Sequence, residues 1–212
     1  MSQRLIYVMD PLCSWCWGFA PVVDAMVALA PDVPLHLVAG GLRPGNGQPL
    51  DERTRSALAE HWQAVQAASG QPFVSPEELP DAFVYDTEPA CRALLVGRGL
   101  DAKRAWPFVR LLQQAFYVEA FDLSDARVLL ELAVQAGYER AAFAEAYSSE
   151  LARAAIAADF SWTRDLGIAG FPTLLAERDG QLALLANGYQ SQDVVLPLFE
   201  RWLAAGRGIA SA

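Results

Sequence analysis

The 212 residues are 53% hydrophobic and 19% charged, a composition that describes a globular protein with a large core and excludes a disordered chain. The formal net charge is −9 at pH 7, and the chain has no cluster of lysine and arginine. Nucleic acid and anionic membrane surfaces are therefore poor partner candidates. No apolar run approaches the ~20 residues that a transmembrane helix needs. Nothing in the sequence indicates the oligomeric state.

The start of the chain lacks the charged region, long apolar segment and small-residue cleavage site of a secretory signal. Residues 1–4 lead directly into an apolar run, and we expect a cytoplasmic protein. In a reducing compartment, three cysteines do not predict a disulfide framework. Two of them, Cys13 and Cys16, have CxxC spacing, which indicates redox or metal chemistry instead.

Two predicted strands and one helix form the first part of the chain. Residues 4–9 are apolar and partly β-branched and have the length of a buried strand. Residues 22–29 are apolar enough for a buried helix, and residues 33–39 have the pattern of a second strand. Together these elements predict a β-α-β unit.

An all-helical stretch follows, in which capping residues and glycines mark the helix ends. Asp51 caps a predicted helix that Gly70 ends. Further helices are predicted to begin at Pro89, Asp101 and Ser124, with one or two more in residues 140–166.

Strand patterns return near the end of the chain. Residues 173–177 and 181–186 flank residues 178–180, which are typical of a hairpin turn. Ser191 caps a final helix that is predicted to run through Trp202. A sheet whose two halves are separated by a helical insertion explains this order of elements most simply.

The two cysteines of the CxxC motif lie where the first predicted strand turns into the first helix. A helix that starts near Cys13 places Cys16 one turn later on the same face, so the two sulfurs can form a disulfide with little movement. Free N–H groups and the positive end of the helix dipole favour a thiolate at Cys13. Cys13 and Cys16 are therefore the candidate catalytic residues.

Structural roles are the alternatives for this pair, either as buried packing cysteines or as half of a zinc site. Zinc normally takes four ligands. Cys91, His36 and His61 are isolated from one another in the sequence, although folding could bring one of them near. We predict no metal. Cys91 lies on a largely apolar helix and is expected to be a small core residue, with a third redox thiol as the alternative.

Three short motifs of this chain resemble motifs of a known fold, and each lies at the corresponding place in the order of elements. Cys13-Ser14-Trp15-Cys16 stands where thioredoxin-fold proteins have their redox pair, Pro21 where their active-site helix is kinked, and Gly170-Phe171-Pro172-Thr173 where they have a cis-proline loop. With the helical insertion, the chain resembles the DsbA branch of that fold. Residues 10–17 and 88–92 narrow the resemblance to the cytoplasmic FrnE-like subfamily.

The resemblance implies the fold and its division into domains. We expect an α/β protein with a DsbA-like thioredoxin fold, β-α-β followed by β-β-α, and a large all-helical insertion. Residues 1–48 and 167–212 would form a discontinuous thioredoxin-like domain. Residues 49–166 would form a helical insertion domain.

The resemblance also implies a thiol–disulfide oxidoreductase of the protein disulfide oxidoreductase or isomerase type, without a bound cofactor. Cys13 would attack a disulfide, a mixed disulfide would form, and Cys16 would resolve it. Protein thiols and disulfides, or glutathione, are the implied partners. Because the dipeptide Ser14-Trp15 differs from those of thioredoxin and periplasmic DsbA, the sequence does not indicate whether the protein is an oxidase, an isomerase or a reductase.

The implied substrate-binding residues are Phe171, Pro172, Trp15 and Trp17. The Phe171–Pro172 bond is expected to be cis, which would turn the backbone of Phe171 toward the cysteines to pair with an extended substrate. The two tryptophans are candidates for a hydrophobic docking surface, although for either one alone packing in the core is the favoured alternative.

Asp10 is the candidate for proton transfer. Tyr7 occupies the strand position where thioredoxin has its buried aspartate, so the usual proton acceptor is missing. Asp10 lies in the turn before Cys13. It is expected either to take over this role or only to cap the helix.

Two rival functions remain open. One is a glutathione-dependent isomerase or transferase of the kappa-class type, a class that generally carries serine where Cys13 stands. The other is a non-catalytic protein that binds a metal or a peptide.

Overall fold

The computed structural model describes residues 3–209, and over that part of the chain four strands and eight helices follow the predicted order. In chain order they are β1 (Gln3–Met9), α1 (Ser14–Leu29), β2 (Leu35–Ala39), α2 (Glu52–Ser69), α3 (Glu88–Leu100), α4 (Ala102–Tyr117), α5 (Ala126–Gln135), α6 (Arg140–Ser148), α7 (Glu150–Asp165), β3 (Thr173–Arg178), β4 (Gln181–Asn187) and α8 (Gln192–Ile209). Residues 1–2 and 210–212, which complete the predicted sheet domain, lie outside the described residues. The division into two domains stays a prediction.

The four strands form one mixed sheet in the order β2-β1-β3-β4. β1 pairs in parallel with β2 and antiparallel with β3, and β3 pairs antiparallel with β4. β2 begins at Leu35, later than predicted, because the preceding Pro34 has no N–H to donate. The turn between β3 and β4 has positive φ at Asp179 (49°) and Gly180 (83°), as a two-residue hairpin turn requires.

The side chains of β1 bury both faces of the sheet. Leu5, Tyr7 and Met9 belong to a core that β1 shares with α1 and α8. Ile6 and Val8 point to the opposite face, into a smaller cluster with side chains of α7 and of the loop after it. Because both faces are covered there, residues 5–9 of β1 are a continuous apolar run rather than an alternating one.

Helices α2 to α6 surround an aromatic core of their own. At its centre, the rings of Trp62, Phe116 and Tyr117 lie with centroids 4.9 to 5.7 Å apart. Leu12 and Trp17 join this core from the turn before α1 and from α1 itself. The CxxC motif therefore lies at the junction between the sheet and the helices.

Two predicted helix boundaries are wrong. α5 begins after Asp125 rather than at Ser124, and the Asp125 carboxylate accepts a hydrogen bond from the first turn. α8 continues to Ile209 rather than ending near Trp202. A glycine such as Gly206 lowers helix stability by only about 1 kcal/mol, which does not suffice to end a helix.

Candidate active site

The two cysteines of the CxxC motif lie at the N-terminus of α1, as the sequence predicts. Cys13 is the N-cap residue, with extended backbone angles (φ −86°, ψ 113°), and Cys16 lies in the first turn. The Cys13 N–H donates to the Asp10 carbonyl over 3.0 Å, which closes the turn between β1 and α1. Both cysteines are free thiols, and the Cys16 thiol is in hydrogen-bonding contact with the Cys13 side chain. The pair is therefore a dithiol whose sulfurs are adjacent.

The loop before β3 faces Cys13. The Cys13 thiol donates to the carbonyl oxygen of Phe171 over 3.7 Å, and the Phe171–Pro172 peptide bond is cis, as expected from the sequence. On the other side of the loop, the Pro172 carbonyl accepts a hydrogen bond from the Gly188 N–H over 2.8 Å. Gly40, just after β2, leaves room for the Phe171 ring, because a Cβ at that position would overlap it.

Cys16 is fully buried against the sheet. Burial raises the pKa of the Cys16 thiol, and the neighbouring Cys13 side chain raises it further. The Tyr7 hydroxyl contacts the same thiol and lies 3.5 Å from the Cys16 carbonyl oxygen. The Asp10 N–H also faces the Cys16 sulfur, and its smaller effect lowers the pKa. Cys16 therefore holds its proton more firmly than an exposed cysteine does.

Asp10 is the centre of a buried hydrogen-bond cluster. Its Oδ1 accepts from the Leu12 N–H over 2.9 Å, and its Oδ2 accepts from the Leu42 N–H over 2.7 Å. The Cys91 thiol donates to Oδ2 over 3.3 Å. Burial raises the pKa of the Asp10 carboxyl, and the hydrogen bonds to its charged form oppose that rise. The expectation of a helix cap is wrong, because the carboxylate bonds to the turn and to the loop after β2 instead of to α1.

Cys91 belongs to this cluster rather than to a purely apolar core. It is fully buried in the first turn of α3, where it packs against Ala39, Leu95 and Ile156. Burial raises the pKa of the Cys91 thiol, and the negative charge of Asp10 raises it further. Cys91 therefore combines the packing role that the sequence predicts with a hydrogen bond that the sequence does not indicate.

The two tryptophans of the motif point to different surroundings. Trp15 is partly exposed and packs against Tyr189, with 5.4 Å between the ring centroids. Trp17 is only 4% exposed, and its indole N–H donates to the Pro72 carbonyl over 3.0 Å. Its ring stacks on Tyr117 in the helical core. Trp17 therefore packs in the core, the role that the sequence favours for either tryptophan alone, and is not available to a docking surface.

A histidine for which the sequence predicted no role lies beside the CxxC dipeptide. His61 of α2 places its Nε2 2.9 Å from the Ser14 hydroxyl oxygen. Burial lowers the pKa of His61, and the positive charge of Arg43 lowers it further. No local pattern marks His61, because only the packing of α2 against α1 brings it to Ser14. His36 lies elsewhere, on β2.

Within residues 3–209, no group of three or more His, Cys, Asp or Glu side chains is arranged to hold a metal ion. Zinc at Cys13 and Cys16 therefore lacks a ligand set among the side chains that the structure describes. Over the same part of the chain, no helix is both long and apolar enough to cross a membrane.

Solved structures similar to this chain include two disulfide-exchange proteins. One, from Nitrosomonas europaea, is described as a candidate protein disulfide isomerase. It is 33% identical with a TM-score of 0.87, and the match covers 97% of this chain and 99% of that one. The cytosolic disulfide reductase DsbM from Pseudomonas aeruginosa is 31% identical with a TM-score of 0.79, covering 95% and 99%.

This chain is also similar to curated proteins and to one family model. The ClpXP adapter protein SpxH from Bacillus subtilis is 26% identical over 178 residues, covering 78% of this chain and 55% of that protein. The chain spans 55% to 66% of the length of the three curated relatives that it matches. The model of the DSBA-like thioredoxin domain matches residues 4–200. The chain therefore belongs to the family of DSBA-like thioredoxin domains.

Proposed function

We propose that this protein is a thiol–disulfide oxidoreductase that acts through Cys13 and Cys16. The observation that carries the proposal is the contact between two free thiols at the N-terminus of α1, with the Phe171 carbonyl 3.7 Å from the first. Disulfide exchange begins when a thiolate attacks a disulfide sulfur, and Cys13 is the residue of the pair that faces the Phe171 loop.

The exchange runs in two steps. The Cys13 thiolate attacks one sulfur of a substrate disulfide, so that a Cys13–substrate bond forms and the first substrate thiolate leaves and takes up a proton. Cys16 then loses its proton and attacks the Cys13 sulfur, which releases the second substrate thiol and leaves a Cys13–Cys16 disulfide. The protein pair loses two electrons and the substrate gains them. An external thiol must reduce the pair again.

Asp10 is our proposed acceptor for the Cys16 proton. Its N–H faces the Cys16 sulfur, and the charge of its carboxylate acts on the Cys16 thiol. Because burial raises the pKa of the carboxyl from its usual range, the group is a better base near neutral pH than an exposed aspartate. The fully buried position also keeps bulk water away from this proton.

Trp15 and the Phe171–Pro172 loop are the proposed substrate contacts. Trp15 is partly exposed beside the cysteines, and the backbone of Phe171 lies against Cys13. Disulfides of proteins or of glutathione are the proposed substrates. The likeness to a cytosolic disulfide reductase, and to a second structure of it with GSH, supports reduction as the direction and the cytoplasm as the place.

The test is turnover of glutathione disulfide and of insulin by the wild type and by Cys13→Ser, with dithiothreitol as the final reductant. We expect Cys13→Ser to lose catalysis and Cys16→Ser to accumulate a mixed disulfide on Cys13 that mass spectrometry detects. Equilibration of the wild type with glutathione gives the reduction potential and so the favoured direction. Unchanged turnover in Cys13→Ser would refute the proposal.

A further inference from the structure

A cavity of about 260 Å³ opens beside the residue that follows Cys13. It lies between the start of α1, the loop after β2 and the side of α2, and it is lined by Ser14, Leu42, Arg43, Thr54, Ala57, Leu58, His61 and Tyr85. A second cavity, of about 470 Å³, borders the Phe171 loop and shares Leu42 with the first. One cavity is therefore lined by Ser14, which follows Cys13 in the chain, and the other by Phe171, whose carbonyl accepts from the Cys13 thiol.

The guanidinium of Arg43 stands at this cavity, and no described carboxylate forms an ion pair with it. It lies over the Tyr85 ring at 5.2 Å from the centroid. Eight other arginines form ion pairs with carboxylates, but among the described side chains none pairs with Arg43. The backbone of Arg43 is fixed nonetheless, because its N–H donates to the Thr87 hydroxyl over 3.1 Å and its carbonyl accepts from the Thr87 N–H over 3.3 Å.

The rest of the lining suits an anion. No Asp or Glu lines the cavity, although the chain as a whole carries a net charge of −9. Ser14 and His61 place a hydroxyl and a ring nitrogen 2.9 Å apart on one wall, and Thr54 adds a second hydroxyl-bearing side chain. By contrast, a cavity of about 400 Å³ beside β3 and β4 is lined by no charged side chain. The cavity of about 470 Å³ is also lined by an arginine, Arg164, so positive charge borders both cavities near the CxxC motif.

From this geometry we infer that the cavity binds a carboxylate of the substrate, and that the protein prefers disulfides bearing a carboxylate a few bonds from the sulfur. With one substrate sulfur at Cys13, the carboxylate would lie against Arg43, with the Ser14 and Thr54 hydroxyls as further donors. The inference rests on the proposed function, since it requires Cys13 to be the residue that meets the disulfide. The carboxylate could belong to a small acid or to an acidic peptide.

Three small disulfides of similar length test the inference: 3,3′-dithiodipropionate (anionic), 2-hydroxyethyl disulfide (neutral) and cystamine (cationic). The wild type should show the highest kcat/KM with the anionic compound. In Arg43→Gln the ratio of anionic to neutral kcat/KM should fall about tenfold, the effect of losing one charge-assisted hydrogen bond. Arg53→Gln is the matched control, because Arg53 is an exposed arginine of α2 that does not line the cavity. It should leave the ratio unchanged.

A second pair of substrates separates the two sources of the carboxylate. A peptide with glutamate beside a cysteine disulfide is compared with the same peptide carrying glutamine. If Arg43→Gln lowers the kcat/KM preference for the anionic substrate among the small compounds alone, the site is assigned to small acids. If it lowers that preference among the peptides alone, the site is assigned to acidic peptides. The inference is overturned if the kcat/KM preference for the anionic substrate falls equally in Arg43→Gln and Arg53→Gln. It is also overturned if that preference falls in neither substrate series.

A binding measurement distinguishes failure of the inference from failure of the proposed function. Calorimetry follows 3,3′-dithiodipropionate binding to Cys13→Ser, with and without Arg43→Gln. If the compound binds only when Arg43 is present and the wild type turns over no disulfide, the carboxylate site is supported and the oxidoreductase function is refuted. Turnover without any selectivity that depends on Arg43 refutes the carboxylate site alone.

Discussion

Two buried thiols lie beside Asp10, and they differ in the groups that they contact. Cys16 comes from the first turn of α1, and Cys91 comes from the first turn of α3. Both are fully buried, burial raises the pKa of both, and the negative charge of Asp10 raises each further. Cys16 also contacts Cys13, whereas Cys91 packs against aliphatic side chains. Contact with a second thiol, rather than burial, is therefore the feature on which the proposed redox role of Cys16 depends.

The largest expected effect is on disulfide turnover, in which variants of Cys16 and Cys91 should differ most. Cys16→Ser should lower steady-state disulfide turnover at least about a hundredfold, because an external thiol lacks the high effective molarity of a neighbouring one. Cys91→Ser should leave turnover near the wild-type value. Both variants are assayed with the same disulfide and dithiothreitol. A comparable loss in Cys91→Ser, with an unchanged melting temperature, would make Cys91 a third redox residue.

The next effect concerns the carboxyl group that the two thiols share. At pH values below the ordinary aspartate pKa of 3.8, Asp10→Asn should lower the free energy of unfolding by about 1–3 kcal/mol, since an amide has only one acceptor oxygen for the buried donors. Because burial raises the pKa of folded Asp10, the unfolded chain releases this proton first as the pH rises. Wild-type stability should therefore fall relative to the variant from about pH 3.8 up to the raised pKa, and the difference should then level off.

Urea unfolding of the wild type and Asp10→Asn across that pH range measures this difference. Asp51→Asn is a control on an exposed carboxylate, whose pKa is lowered by its hydrogen bonds to Thr54. Its linkage has the opposite sign, so wild-type stability should rise relative to Asp51→Asn as the pH increases. A wild type that gains stability over Asp10→Asn as the pH rises would contradict the raised pKa of Asp10.

The smallest expected effect is on the free energy of unfolding, and it tests the structural role of Cys91. Cys91→Ala removes the thiol that donates to Asp10 over 3.3 Å and should cost about 1–2 kcal/mol of unfolding free energy. Cys91→Ser keeps a donor of similar size and should recover part of that loss. Midpoints of urea unfolding at neutral pH give both values. Equal losses in the two variants would mean that the hydrogen bond to Asp10 contributes nothing.

The sequence predicted the parts of the site that depend on local pattern. The CxxC pair at a strand–helix junction and the Phe171–Pro172 loop before a strand are both marked by short motifs. The contacts of Asp10 with Cys91 and of Ser14 with His61 are not, because their partners lie 81 and 47 residues away in the chain. Such pairs arise only when the chain packs, and neither α2 nor α3 carries a pattern that fixes which of its residues meets Ser14 or Asp10.

Position 40, directly after β2, should tolerate few substitutions, although no chemistry occurs there. Any larger residue would place its Cβ inside the Phe171 ring. The strand cannot retreat easily, because the Gly40 N–H is bonded to the Met9 carbonyl over 2.7 Å. The ring would have to turn out instead and carry with it the backbone beside Cys13. In a library selected for activity, position 40 should stay glycine, while Gly47, with open space around it, should vary.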